Sequence, residues 1–173
     1  TSEDFGQVAV LNKGKKVVSL NANFMDGTGF VDVSDAKGVP RAIMAPGVVS
    51  VFDQKGGHVA SIEAVAEDRG KVTVFNKSHP VSTMEVDGQA GKLTVMNSAG
   101  NPVIGLTGGQ TGGGRIAVAD AASMPLAEMY VSDEGKGFFQ VNKNQRPIAV
   151  LTEKVERPGG LVQLYNVSGQ GVA

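Results

Sequence analysis

Hydrophobic and variable positions alternate with a period of two along most of the chain, in short segments that polar turns separate. One segment reads Gly70-Lys71-Val72-Thr73-Val74, and others follow the same scheme. Most of the hydrophobic positions carry β-branched residues, which is typical of half-buried β-strands. No segment of the sequence keeps a helical period. The pattern therefore predicts an all-β protein.

The strand segments belong to a repeat that opens on a glycine. The opening glycines are Gly6, Gly29, Gly47, Gly70, Gly91, Gly114, Gly137 and Gly160. Neighbouring ones are 23, 18, 23, 21, 23, 23 and 23 residues apart. A recurring period marks a repeat architecture, so the sequence predicts a single array over residues 1–173, built from hairpin units of about 23 residues. The last unit stops halfway through its pattern, and we expect the chain to be part of a longer array.

Each unit continues with a turn that starts at Asn or Asp. The turn positions are Asn12, Asp35, Asp53, Asn76, Asn97, Asp120, Asn142 and Asn166. In segments 35–38 and 97–100 a glycine follows three residues later, which is the signature of a type I turn. An Asp or Asn side chain at the first position accepts hydrogen bonds from the backbone of its own turn. We therefore predict that these residues cap turns and neither catalyse nor bind metals.

Both strands of each unit carry apolar residues on one face, and the opposite face of the second strand is also partly apolar, with Val17, Val59, Val81, Val103, Leu126 and Ile148. A hairpin of two short strands is marginally stable at best. Ordering each residue costs roughly 1.5 kcal/mol, which burial of apolar surface must offset. We therefore predict that this face forms the core of an assembly. The predicted core residues are Val10, Leu20, Val33, Met44, Val51, Ile62, Val74, Met84, Val95, Leu106, Val118, Met129, Val141 and Leu151.

Three architectures would cover such a face. The first, which we predict, is an intertwined homotrimeric β-prism or triple β-helix, in which three chains share one axis. The alternative is a single-chain β-solenoid with one coil per repeat, for which end caps are expected. A propeller with two repeats per blade is the third, but blades usually carry aromatic motifs. This chain has seven Phe, two Tyr and no Trp, which disfavours a propeller.

The consensus of the units, Gly-x-Val-x-Val-x-Asn-x-x-Gly-x-Pro-Val-x-x-Leu, resembles the tandem hairpin repeats of certain bacterial surface or secreted proteins. The predicted architecture also resembles the triple-stranded β-helix shafts of phage tail fibres and spikes. The similarity covers residues 6–169. It implies a rigid shaft or fibre segment that is extracellular, at the cell surface or part of a virion fibre. Some phage shafts of this kind also carry polysaccharide-lyase activity, which the residues of this chain do not independently support.

Composition excludes several classes of function. The chain has 16 basic and 17 acidic residues, a net charge of −1, and no long run of one sign, so we predict no nucleic-acid partner. No apolar stretch reaches the roughly 20 residues that span a bilayer, so we predict no membrane insertion. The absence of cysteine excludes disulfides, thiolate zinc sites and a cysteine nucleophile.

The sequence also contains few groups that carry chemistry. His58 and His79 are candidates for a metal pair, but they lack an evident third ligand. The glycine-rich segment 108–114 lacks the Lys-Ser/Thr of a phosphate loop and precedes a predicted strand. Asp26, Asp32 and Asp35 lack the distal Glu of a calcium loop. We therefore predict no catalytic residue, cofactor or metal site, and no enzymatic activity.

The sequence favours a structural shaft, fibre or surface-layer element whose partner is itself, as a homotrimer or fibre. The competing hypothesis is a carbohydrate-binding adhesin or phage-spike-like module that binds a surface polysaccharide. Sugar sites usually use exposed aromatic rings, and Phe52, Phe75 and Tyr165 are the candidates because each lies just before or in a repeat turn. Packing within the fold is the simpler role for these rings.

Overall fold

The structure is a computed structural model that describes residues 6–22, 28–109, 113–132, 134–153, 159–166 and 168–172. Every regular element in this part of the chain is a β-strand. Accordingly, these residues contain no helix that is long and apolar enough to cross a membrane. The chain forms two compact units, Thr1–Pro80 and Val81–Ala173. The prediction of an all-β protein is confirmed.

The first unit is an antiparallel sheet in which each strand pairs with the next along the chain. Its strands are β1 (Gln7–Asn12), β2 (Lys15–Ala22), β3 (Gly29–Ser34), β4 (Pro40–Ala45), β5 (Val48–Phe52), β6 (His58–Ala66) and β7 (Arg69–Asn76). This order is the meander that a row of successive hairpins produces.

The second unit follows the same plan, and each of its strands is again antiparallel to the next. Its strands are β8 (His79–Asp87, which begins just before the boundary), β9 (Ala90–Met96), β10 (Pro102–Gly108), β11 (Gly114–Ala119), β12 (Pro125–Val131), β13 (Gly137–Lys143), β14 (Arg146–Glu153) and β15 (Gly160–Leu164). An isolated bridge joins Tyr165 to Gly171 after β15.

Most of the predicted repeat turns are closed by a capping side chain. Asp35 Oδ1 accepts hydrogen bonds from the backbone N–H groups of Lys37 (2.8 Å) and Val39 (3.0 Å), and Gly38 has a φ of 83°. The same pair of bonds, to the second and fourth residues onward, recurs elsewhere and confirms the predicted caps. The other turns of this kind start at Asp53, Asn97, Asp120 and Asn166.

The remaining repeat turns are tight two-residue hairpins. Their central residues have positive φ at both positions, as in a type I′ turn. These pairs are Lys13-Gly14, Lys77-Ser78 and Asn144-Gln145. The prediction that the last of these turns starts at Asn142 is wrong by one residue. A register shift between Val141 and Asn142 carries Asn142 into the sheet, where it is buried and accepts a hydrogen bond from Gln140 Nε2.

In both units small polar side chains are buried and large aliphatic ones are exposed, whereas an ordinary sheet buries its aliphatic side chains. The most buried side chains on the described strands are mainly small and hydroxylic. They are Ser19, Ser50, Ser61, Thr73, Thr83 and Thr94. The buried hydrophobic side chains are Ala90 and Val150, whereas most large aliphatic side chains of the strands are exposed. One face of the hairpins is therefore shielded within the chain and the other is not.

Candidate functional site

The exposed face, which we call the apolar face, carries two rows of aliphatic residues that run across the strands. In the first unit the large-residue row contains Val8, Leu20, Val31, Met44, Val49, Ile62 and Val72 as successive cross-strand partners. The turn-side row contains Val10, Val18, Val33, Ala42, Val51, Ala60 and Val74. Directly paired residues of a sheet share a face, so both rows lie on the same side.

The second unit has the same two rows. Its large-residue row contains Met84, Leu93, Leu106, Ile116, Met129, Phe139, Leu151 and Val162. Its turn-side row contains Ser82, Val95, Ile104, Val118, Ala127, Val141, Ala149 and Leu164. The repeat thus places two apolar side chains on this face of every strand except β8, where Ser82 takes the turn-side position.

All fourteen predicted core residues lie in these rows, but the chain alone does not bury them. Twelve are exposed, over a range from 38% for Val33 and Leu106 to 58% for Met84, and Val95 and Val141 are half-buried. Such a continuous apolar surface is typical of an interaction site. Whether these residues form the core of an assembly stays a prediction.

A third row on the apolar face lies beside the links between hairpins and consists mostly of glycine. We call it the glycine row. In the second unit it contains Val86, Gly91, Gly108, Gly114, Val131, Gly137, Glu153 and Gly160, and in the first unit Ala22, Gly29, Gly47, Ala64 and Gly70. With the large-residue row, the glycines of the second unit line a shallow groove of about 1000 Å³. A smaller groove of about 450 Å³ lies over Val8, Leu20 and Met44 in the first unit.

The opposite face carries the buried hydroxyl groups, and their partners explain why they are tolerated there. Ser61 Oγ donates to Glu63 Oε1 at 2.5 Å, and Ser19 Oγ donates to the Asp32 carboxylate. Asn21 Nδ2 in turn donates to Ser19 Oγ at 2.9 Å. Buried polar groups need such partners. Asp32, one of the three carboxylates considered for a calcium loop, therefore belongs to a hydrogen-bond network within the sheet.

One charged side chain links two neighbouring capped turns of the first unit. Arg41 bridges them, because it pairs with the Asp35 carboxylate and donates to the backbone oxygens of Asp53 and Gln54. The hydrogen bond from the Val39 N–H lowers the pKa of Asp35, with smaller contributions from Lys37 and Arg41. The pKa of Asp53 is lowered chiefly by the backbone N–H groups of Gly57 and Lys55. These carboxylates stabilise turns.

The two histidines lie in different environments. The His58 ring stacks between the rings of Phe52 and Phe75, at centroid distances of 5.1 and 4.5 Å, and its Nε2 is buried without a hydrogen-bond partner. His79 begins β8 and is exposed. No cluster of three metal-ligating side chains occurs among the described residues, and Asp26 lies outside them.

The aromatic candidates for sugar binding are engaged within the chain. Phe52 and Phe75 stack on His58, and the Tyr165 hydroxyl donates to Gln163 Oε1 at 2.9 Å. Sequence reasoning missed a second stack, Tyr130 on Phe138, with centroids 5.0 Å apart. These two residues occupy directly paired positions on β12 and β13, so knowledge of the strand register would have found them. Binding of a surface polysaccharide stays a prediction.

Comparisons with known proteins identify no family. No protein-family model matches the chain, and no curated protein sequence matches it. One similar solved structure is that of a point mutant of S. aureus TarM in complex with fondaparinux, alpha-GlcNAc-glycerol and UDP, at 10% sequence identity and a TM-score of 0.30. The match covers 69% of this chain and 21% of the TarM chain. A likeness this low carries no argument about fold or function.

Proposed function

We propose that this protein is a structural element, a shaft, fibre or surface-layer component, that assembles with copies of itself through its apolar face. The observation that carries the proposal is the exposure of the two aliphatic rows on nearly every described strand. Monomeric soluble proteins rarely expose contiguous apolar patches beyond a few hundred Å². Covering this face removes apolar area from water, which is the main driving force for association.

The assembly that fits best is a homotrimer with three apolar faces turned toward a common axis. This arrangement puts the capped turns and their charges at the surface. The antiparallel order of neighbouring strands within each unit favours such a prism, because a solenoid usually stacks parallel strands. A single-chain solenoid remains the alternative architecture. An extracellular or cell-surface location follows from the resemblance to surface repeats and phage shafts.

The decisive test compares two aspartate substitutions at adjacent positions of β10. Leu106 lies on the apolar face, whereas Thr107 lies on the opposite face and is exposed. We expect a solution mass of about three times the 17.8 kDa chain for the wild-type protein and for Thr107→Asp, by light scattering on a sizing column. Leu106→Asp would bury an unpaired carboxylate in the interface, so it should run as a monomer.

Circular dichroism of both variants checks that the strands persist. A wild-type chain that stays monomeric at every concentration would refute the proposal. A Leu106→Asp variant that assembles as well as Thr107→Asp would also refute it, because the apolar face could not then be the interface.

A further inference from the structure

The opening glycines of the second unit have no evident role within the chain. A Cβ atom added to Gly91, Gly137 or Gly160 would find no heavy atom within 4 Å, and none of the three has a positive φ. A Cβ at Gly114 would make only an ordinary contact, at 3.7 Å from Thr107 O. Neither local sterics nor backbone conformation therefore requires glycine at these positions.

Glycine in a strand has a cost. It loses more conformational entropy on folding than other residues, about 0.5–1 kcal/mol relative to alanine. Within strands, glycine often marks a place where another backbone or a ligand approaches closely. Since no residue in the described part of the chain approaches Gly91, Gly137 or Gly160, a close neighbour from outside the chain accounts for glycine at these positions.

We propose that the glycine row is the line of closest approach between copies of the chain, where the large-residue row of one copy packs into the groove over the glycines of another. This inference rests on the proposed self-assembly, and it specifies the row at which two copies make their closest contact. In the groove of the second unit, Leu106 lies beside Gly108 on the same strand, and the Gly108 position pairs with Gly114. The row of large side chains therefore borders a line of glycines, which Val86, Val131 and Glu153 interrupt.

A second copy is the occupant that matches the spacing of this surface. The large side chains recur from strand to strand, at the roughly 4.8 Å distance between neighbouring strands, and the trough lies beside them at the glycines. A partner that fills the trough along its length needs apolar side chains with the same period. The large-residue row of this chain has that period, because each strand contributes one side chain to it.

The area available also fits a stable self-interface. Ten side chains of the two rows in the second unit are exposed, and nine in the first. These side chains are 37–65% exposed, so covering them removes several hundred Å² of apolar surface per unit from water. An area of this size in one unit is comparable to the about 800 Å² per partner that a stable interface buries.

The test is the triple variant Gly91→Ala, Gly137→Ala, Gly160→Ala, with Gly105→Ala as the matched control. Gly105 lies in β10 on the opposite face, between Thr94 and Ala117, and an added Cβ there also finds no atom within 4 Å. The chain alone should accept both changes equally. We expect the triple variant to raise the dissociation constant of the assembly about five- to 150-fold, because overpacking a close contact costs about 1–3 kcal/mol and each 1.4 kcal/mol is a factor of ten. Gly105→Ala should leave it unchanged.

Sedimentation velocity over a concentration series measures the dissociation constants, with circular dichroism to check the fold. If the wild type and the triple variant assemble equally well, the glycine-row contact is wrong and self-assembly stands. If the wild type stays monomeric at every concentration, both proposals are wrong. If Gly105→Ala weakens assembly as much as the triple variant, the effect is not specific to the apolar face and the glycine-row contact is wrong.

A single Gly137→Val change, which adds a larger side chain at one position, should weaken assembly without changing the circular dichroism signal of the strands.

Discussion

At the residue scale, side-chain caps and buried hydroxyls shape this protein more than aliphatic burial does. Asp35 shows why the caps could be predicted: its partners Lys37 and Val39 are two and four residues away. His58 shows the opposite case. Its stacking partners lie on neighbouring strands, so its role depends on strand register. The same reasoning applies to Ser61, whose near-complete burial follows from its position in the sheet.

The capped turns of the first unit predict an acid-sensitive stability. The pKa values of Asp35 and Asp53 are lowered in the folded chain, so their contribution is present above the unfolded value near 3.8. It is lost as the pH falls through the lower folded values. We expect the free energy of unfolding of the double variant Asp35→Asn, Asp53→Asn to fall less than that of the wild type as the pH is lowered from 5 to the point where the wild type unfolds. Urea unfolding at each pH measures it. Asn keeps the capping oxygen, as Asn97 shows, but has no proton to gain.

The control for this experiment is Asp68→Asn, a change at an exposed carboxylate outside the capped turns. Its stability should follow the wild-type pH profile. A double variant whose stability falls as steeply as that of the wild type in acid would show that these two caps do not carry the effect.

At the element scale, each unit is a chain of hairpins whose turns fix the register. Capped turns are accompanied by a register shift next to the last apolar residue, as at Val33 and Val51. A shift of this kind is a β-bulge, which increases the local twist of the strands. The apolar face keeps its rows because the shifts lie beside the turns and not within the rows.

The β7–β8 turn is a place where the hairpin can be improved. Lys77 and Ser78 have φ values of 50° and 66°, which Asn and Gly adopt more readily. We expect Lys77→Asn with Ser78→Gly to stabilise the chain by about 1 kcal/mol, measured as a higher urea midpoint with an unchanged slope.

Lys55→Asn is the matched control for this turn change. Lys55 lies in a capped turn but does not have a positive φ, so the same substitution should leave the midpoint unchanged there. An equal gain at both positions would contradict the explanation by backbone conformation.

At the scale of the whole molecule, the exposed apolar face predicts that folding and association are coupled. If assembly stabilises the folded chain, mass action makes the melting temperature depend on protein concentration. We expect the wild-type melting temperature to rise over a hundredfold increase in concentration, measured by circular dichroism. Leu106→Asp should melt at one temperature throughout. A wild-type melting temperature that does not depend on protein concentration would show that copies of the chain do not cover this face.

The sequence by itself determined the strands, their turns and the apolar face, because these depend on alternation and on contacts between residues a few positions apart. It predicted the caps at Asp35, Asp53, Asn97, Asp120 and Asn166. It misplaced the turn after Val141 because Asn occurs at both 142 and 144, and only the strand pairing shows that Lys143 still pairs with Arg146 in the sheet. The tertiary structure alone decided that the hydroxyl row is buried while the aliphatic rows stay exposed, and that the opening glycines face open space. The reason is physical: period-two alternation distinguishes the two faces of a sheet but does not say which face the rest of the chain shields.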